Sequence, residues 1–235
     1  MNNLVYFTFF IIILNLYFLI YNYSFKKIFP NVSYVKGSGL IFIIIIIQYL
    51  LLNNTYFIRE ANYFNIILIL SLIYFIDDII GLNVISRIIL QFISGIICAY
   101  IFLDQLDNYF IYKLFFFGIW SIYLTNALNF YDGKNLNFSF LLINILIFNY
   151  FISNNFVANI LIILILSFII FSFYNYYYKK YYFGDSGCFV IAAFLNYLLL
   201  TNSIEDFNKI IIYFIPLCLP FVDVIFVLLY RIYKK

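Results

Sequence analysis

Histidine is absent from this chain. That removes the side chain most used as a general base and as a metal ligand near neutral pH, and leaves carboxylates and hard cations for any ionic chemistry. Charge of either sign is scarce: 10% of the residues are charged, 13 basic and 10 acidic, for a net charge of +3. The basic residues form no cluster of the kind that tracks a phosphodiester backbone, which argues against nucleic acid as a partner. Cysteine is limited to Cys98, Cys188 and Cys218, far apart and in or beside apolar runs. That spacing suits neither a disulfide framework nor a metal knot, and the three read as small packing residues.

What is abundant is apolar surface. Hydrophobic residues make up 67% of the 235 positions and the mean hydropathy is +1.05, against about 45–50% apolar residues in soluble chains. A soluble fold could not hide that much, so the expected class is all-α, a polytopic membrane helix bundle forming one integral-membrane domain over 1–235. Apolar runs predict nine spans, near 4–22, 38–52, 63–80, 88–103, 114–128, 138–152, 156–173, 187–201 and 209–230. Nine helices of about 20 residues leave roughly 55 for all loops and tails, too few for a domain outside the membrane. The first run lacks a basic start and a small-residue cleavage site, so it reads as a retained span.

Nine spans place the termini on opposite sides. The segments 23–37, 81–87, 129–137, 174–186 and 231–235 carry Lys26, Lys27, Lys36, Arg87, Lys134, Lys179, Lys180, Arg231, Lys234 and Lys235, against Arg59, Lys113 and Lys209 on the other side. The positive-inside rule makes the first set cytoplasmic, with the N-terminus outside and the C-terminus cytoplasmic. Glu60, Asp104, Asp107, Glu205 and Asp206 then fall in outer loops, whereas Asp77, Asp78, Asp132, Asp185 and Asp223 all stand at or near inner ends of spans. A carboxylate at membrane depth is costly and marks a functional site by default. Five on one side, with Lys36 and other lysines beside them, form a pattern suited to a cation and a phosphate.

The third run ends in Phe75-Ile76-Asp77-Asp78-Ile79-Ile80-Gly81-Leu82. Adjacent helical residues point about 100° apart, so Asp77 and Asp78 reach different neighbours. Two anions at a helix C-terminus oppose the macrodipole, which argues against a merely solvated helix end. Arg87 is their expected counter-ion. The fifth run leads into Thr125-Asn126-Ala127-Leu128-Asn129-Phe130-Tyr131-Asp132-Gly133-Lys134-Asn135, with Asn126, Asn129 and Asp132 spaced by three along one face. Such a strip suits a sugar or nucleotide; helix capping by Asp-Gly would explain Gly133 but not the asparagines. In Phe183-Gly184-Asp185-Ser186-Gly187, at the head of the eighth run, the glycines predict close backbone approach and free N–H groups for a phosphate, with a magnesium ion on Asp185. The tyrosines at 176–178, 181 and 182 read mainly as an interfacial belt. Pro216 and Pro220 predict a kink in the last run that brings Asp223 toward the inner surface.

The set DDIIGL, NALNFYDGKN, FGDSG and PFVD followed by Arg231, over roughly residues 33 to 231, resembles the polyprenyl-phosphate N-acetylhexosamine-1-phosphate transferases, glycosyltransferase family 4. Asn175 and Lys180 stand ten and five residues before Asp185, as in the family pattern, and Asp78-Ile79-Ile80-Gly81 resembles the branch that starts O-antigen and teichoic acid rather than peptidoglycan. The resemblance implies transfer of a sugar 1-phosphate from a UDP-sugar to polyprenyl (undecaprenyl) phosphate in the bacterial inner membrane, on its cytoplasmic face, releasing UMP. It implies Asp185 as ligand to Mg²⁺ (Mn²⁺ as substitute), Asp77 and Asp78 at the lipid phosphate, and Asn126, Asn129 and Asp132 at the nucleotide-sugar. Asn175, Lys180, Lys36 and Arg87 join the substrate-binding set, and Tyr182 occupies a position that stacks on uracil. A homodimer is the common assembly. The chain departs from the pattern at Leu136, where glycine is usual, at Asn135 and Cys188, and in ending before a His- and Arg-rich loop and the last helices. An inactive or partner-dependent member and an ion-coupled transporter are the competing expectations.

Overall fold

We describe the fold from a computed structural model over residues 2–52, 58–103, 105–106, 109–133, 136–153, 155–203, 212 and 215–234. Among them lie nine α-helices: α1 (Asn2–Ile28), α2 (Ile41–Leu52), α3 (Ile58–Ile80), α4 (Val84–Phe102), α5 (Phe110–Asp132), α6 (Asn137–Ile152), α7 (Asn155–Tyr178), α8 (Asp185–Ser203) and α9 (Cys218–Tyr233). Short 3₁₀ turns, Ser38–Leu40 and Ile215–Leu217, lead into α2 and α9. Each expected span has its helix, and no strand occurs among the described residues. Five helices carry stretches long and apolar enough to cross a membrane: Thr8–Ile28, Arg59–Ile80, Val84–Phe102, Phe110–Asp132 and Val157–Tyr178. The other apolar helices are shorter.

The centre of the bundle is α8. Residues 186–200 are buried without a break, so no face of this stretch is left exposed, the pattern of a helix surrounded by others. Small residues let its neighbours approach: Tyr63 of α3 donates its hydroxyl to the Ala193 carbonyl at 3.1 Å, and Tyr74 stacks on Phe189 at 4.5 Å. α4 and α5 meet in the same way, with Gly95 against the Phe117 backbone and Gly118 under the Phe92 ring. Ser94 and Ser121 hydrogen-bond across that interface at 2.9 Å. Close approach at small residues is the usual device where lipid supplies no hydrophobic drive between helices.

Two details differ from the sequence expectations. α1 continues to Ile28, nearly two turns beyond the predicted span, and carries Lys26 and Lys27 in its last turn, whose charge suits the negative end of the helix dipole. Pro216 lies in the 3₁₀ turn and Pro220 in the first turn of α9, where a missing N–H costs nothing. The prolines therefore start a helix and do not kink one. Asp223 nonetheless reaches the inner-end residues, because the Tyr131 hydroxyl on the last turn of α5 donates to it. Asp104, Asp107, Lys134, Asn135, Glu205, Asp206 and Lys209 lie outside the described residues.

Candidate active site

Two helix ends meet the head of α8. α3 carries Asp77 and Asp78 in its last turn and α5 ends in Asp132, at the negative ends of their dipoles, while α8 begins there with its positive end. Asp132 accepts the backbone N–H of Phe183 at 3.0 Å through Oδ1 and that of Gly184 at 2.8 Å through Oδ2. Asp78 accepts the N–H of Asp185 at 2.8 Å and that of Ser186 at 3.1 Å, and the Ser186 hydroxyl at 2.7 Å. Four successive N–H groups are thereby filled by two carboxylates from distant parts of the chain. The N–H groups of residues 183–186 are therefore not free for a phosphate, because charge-assisted bonds from the protein's own anions take them.

Asp77 points elsewhere, as its neighbouring position on the helix requires. Its Oδ1 accepts Leu82 N–H at 2.5 Å and its Oδ2 lies 3.4 Å from Arg87 Nε. Gly81, at φ +78°, turns the chain sharply after α3 so that this contact closes. Asn83 then starts α4 by accepting Ser86 N–H at 2.7 Å, and Arg87 follows one turn on. The guanidinium also stands 3.5 Å from Asp185 Oδ2 and 3.3 Å from the Leu82 carbonyl. Arg87 is thus a bridge between Asp77, whose side chain is 1% exposed, and Asp185, whose side chain is 25% exposed. Arg87 is the expected counter-ion of Asp77, but its second anion is Asp185 and not Asp78, whose oxygens are taken by the head of α8.

A second layer holds this arrangement from the α1–α2 loop. Val35 and Tyr181 form a parallel bridge, with Val35 N–H to the Lys180 carbonyl and Tyr182 N–H to the Val35 carbonyl, both at 2.8 Å. Gly39 N–H donates to the Phe183 carbonyl at 2.9 Å and Ser38 Oγ to the Tyr182 carbonyl at 3.1 Å. The backbones touch: a Cβ on Gly39 would stand 2.6 Å from Gly187 Cα, and one on Gly184 would meet Gly37. Tyr21 and Tyr17 of α1 secure the loop through the carbonyls of Lys36 and Ser38. Lys36 lies over the Tyr34 ring at 5.0 Å and, with Arg87, is a cation in electrostatic contact with Asp185. Sequence reading missed the closeness of this loop; the glycines shared by 37–39 and 184–187 were the signal available.

The remaining expected residues divide. Asn175 is buried and structural in its contacts: it donates to the Tyr181 carbonyl at 2.6 Å and accepts Leu136 N–H at 2.7 Å. Tyr182 is half-buried, edge-on to Tyr34 at 6.3 Å. Lys180 is exposed. Asn126 donates to Gln91 Oε1 at 3.0 Å and to the Ile122 carbonyl at 2.7 Å, whereas the Oδ1 of Asn129 is buried without a hydrogen bond. The strip Asn126, Asn129, Asp132 is therefore not one open polar surface, since Asp132 spends both oxygens on the loop. Gly133 has an ordinary helical φ of −68°, and the left-handed position falls three residues later on Leu136, at φ +65°.

Among the described residues no three carboxylate or thiol groups converge on one point. Asp78 and Asp132 are engaged by backbone, whereas the Asp185 side chain is 25% exposed and has Arg87 as its described ion-pair partner. One or two carboxylates suit a hexacoordinate ion that keeps water or substrate oxygens, as Mg²⁺ does.

A buried helix headed by an anion-lined loop, at one end of a bundle with several membrane-crossing helices, defines a polytopic membrane protein with an ionic site at one end. Acids gathered at an end are not the mid-membrane relay that alternating access requires. Residues 61–203, more than half of the chain, match the model of glycosyl transferase family 4, and the chain belongs to that family. The match contains Asp77, Asp78, Arg87, Asp132 and Asp185; the loop at 33–39 and the Pro220–Asp223 segment lie beyond it. A search of curated proteins gives no match.

Proposed function

We propose that the chain transfers N-acetylhexosamine 1-phosphate from a UDP-sugar to polyprenyl (undecaprenyl) phosphate, at the first step of a cell-envelope glycan of the O-antigen or teichoic type. The observation that carries this reading is the Asp77–Arg87–Asp185 bridge at the head of α8, with Lys36 beside it. An oxygen of the lipid phosphate attacks the β-phosphorus, the bond from that phosphorus to the oxygen of the UMP moiety breaks, and UMP leaves. Such transfers need positioning and charge neutralisation more than covalent help. A phosphate monoester has a second pKa near 6 and is mostly dianionic at neutral pH, so little base catalysis is required.

Roles follow from the contacts. Arg87 and Lys36 offset the two substrate anions. Asp77 orients Arg87, and Asp78 and Asp132 keep the loop that carries Asp185 in place. Tyr182 and Lys180 are exposed enough to meet the nucleotide; Asn126 and Asn129 approach it along α5. Mg²⁺, or Mn²⁺ in its place, would be held by Asp185 and would offset diphosphate charge. The excess of Lys and Arg in the loops at this end supports a cytoplasmic face of the inner membrane.

The test is UMP release from membranes containing the protein, with undecaprenyl phosphate and UDP-N-acetylglucosamine. Release that requires both lipid and Mg²⁺, and is lost in Asp185→Asn, is expected. Silence across a panel of UDP-sugars would reject the activity and leave a family member without it.

A further inference from the structure

Away from the site, α1 and α7 leave a groove between them. It has a volume of ≈ 370 Å³ and is walled by Leu19 on α1 and by Phe173, Tyr174, Tyr177 and Tyr178 on α7, within the usual range of about 300–1,000 Å³ for small-ligand sites. Phe173 and Tyr177 are exposed, and Tyr174 ties the two helices by donating to Asn15 at 3.1 Å. One lysine contacts the wall of the groove and others stand next to it along the chain. Lys26 lies over the Tyr178 ring at 5.5 Å, Lys27 follows it at the end of α1, and Lys179 and Lys180 follow the end of α7. All four are exposed, and among the described residues none has an ion-pair partner.

We propose that this groove is a binding site for an anionic phospholipid, with an acyl chain along the aromatic wall and the phosphate among Lys26, Lys27 and Lys179. Charge complementarity selects the occupant. Unpaired lysines clustered just beyond the ends of membrane helices attract anionic headgroups, and tyrosine rings with an apolar body and a polar tip suit the headgroup level. A neutral phospholipid would fill the groove equally well but would leave the lysines without a partner. Just beyond the site the chain touches the catalytic loop through the backbone, because Lys180 offers its carbonyl to Val35 and Asn175 of α7 pins Tyr181.

The experiment uses the full chain in nanodiscs of phosphatidylcholine with one-fifth phosphatidylglycerol, and reads the lipids that remain bound by native mass spectrometry. Enrichment of phosphatidylglycerol over phosphatidylcholine is expected on the wild-type protein. It should fall about tenfold or more in Lys26→Gln/Lys27→Gln/Lys179→Gln, given the attraction of each lysine near an anionic surface. The arginine triple variant Lys26→Arg/Lys27→Arg/Lys179→Arg should retain it, which separates loss of charge from loss of fold. Leu19→Trp, which fills the groove without touching charge, should also reduce it. Equal retention of both lipids, or enrichment indifferent to the glutamine variant, would overturn the proposal. Enrichment indifferent to Leu19→Trp would reduce it to diffuse surface charge, which also overturns the site. Displacement of phosphatidylglycerol by equimolar undecaprenyl phosphate would assign the groove to the acceptor lipid instead.

Discussion

Asp78 and Ser186 are 108 residues apart, yet one carboxylate oxygen of Asp78 accepts both the backbone N–H and the hydroxyl of Ser186. The anion at the end of α3 caps α8. This turns two unfavourable features, an acid at a helix C-terminus and unfilled N–H groups at a buried N-terminus, into one favourable contact.

Removing that cap should unfold the loop before it affects chemistry. Asp78→Ala leaves two N–H groups and a hydroxyl without acceptors in a partly buried place, and we expect a loss of about 2 kcal/mol or more. Asp78→Asn keeps one carbonyl oxygen and should lose less. Thermal unfolding in detergent orders the variants. Faster hydrogen exchange at residues 183–187 in Asp78→Ala would report the released amides directly. A variant as stable and as protected as wild type would show that the carboxylate holds nothing.

Arg87 should couple Asp77 to the rest of the fold. Arg87→Met leaves a carboxylate of 1% side-chain exposure without its cation, and breaking one side of such a pair costs about 3 kcal/mol. Asp77→Asn in the same chain should restore part of the stability, since the uncompensated charge is gone. The double variant should still release no UMP. Additive losses in the two single variants, with no recovery in the double, would mean the 3.4 Å approach carries no energy.

Glycines at positive φ should differ sharply according to what surrounds them. Gly81 has open space around its missing Cβ, so Gly81→Ala should cost about 1 kcal/mol of backbone strain. Gly184 faces the Gly37 backbone and an Asp78 oxygen, and Gly184→Ala should cost about 3 kcal/mol or prevent folding, because backbone cannot yield as a side chain can. Equal melting points for the two variants would contradict the close approach of the loops at 37 and 184.

Much of this arrangement was legible before any coordinates. The nine helices among the described residues follow from apolar runs, and five of them carry the long unbroken stretches that a membrane core demands. That Asp77, Asp78, Arg87, Asp132 and Asp185 belong to one end followed from where they interrupt those runs. Their division of labour did not. Which carboxylate binds backbone and which stays open depends on how closely loops 33–39 and 180–187 approach, and that is set by glycine contacts between segments some 145 residues apart. Asn175 illustrates the same limit: its spacing from Asp185 marks it, but only the fold shows it bonded to Tyr181 and Leu136.

Leu136 is a non-glycine residue in the left-handed region of backbone conformation. It stands at φ +65°, half a step before α6, with its side chain exposed. A non-glycine residue there carries a cost of about 1–2 kcal/mol, partly offset by the entropy a glycine would lose on folding. Leu136→Gly should therefore stabilise the protein by about 0.5–1 kcal/mol, visible as a higher melting point, with Asn175 still accepting the backbone N–H. A lower melting point would mean that the exposed leucine contributes packing that outweighs its backbone strain.

Asp185 should be the aspartate whose loss spares the fold. Its side chain meets only Arg87 among the described ion pairs, while its backbone N–H is what Asp78 holds. Asp185→Asn keeps that N–H and keeps the loop, so its unfolding free energy should stay within about 0.5 kcal/mol of wild type. Metal-dependent UMP release should vanish. Asp132→Asn should behave in the opposite order: it replaces one of two acceptors for Phe183 and Gly184 and should lower stability first. Paired melting and UMP assays on these two variants separate the carboxylate that faces the reactants from the one that builds the loop. Equal losses of stability in both would reject that division.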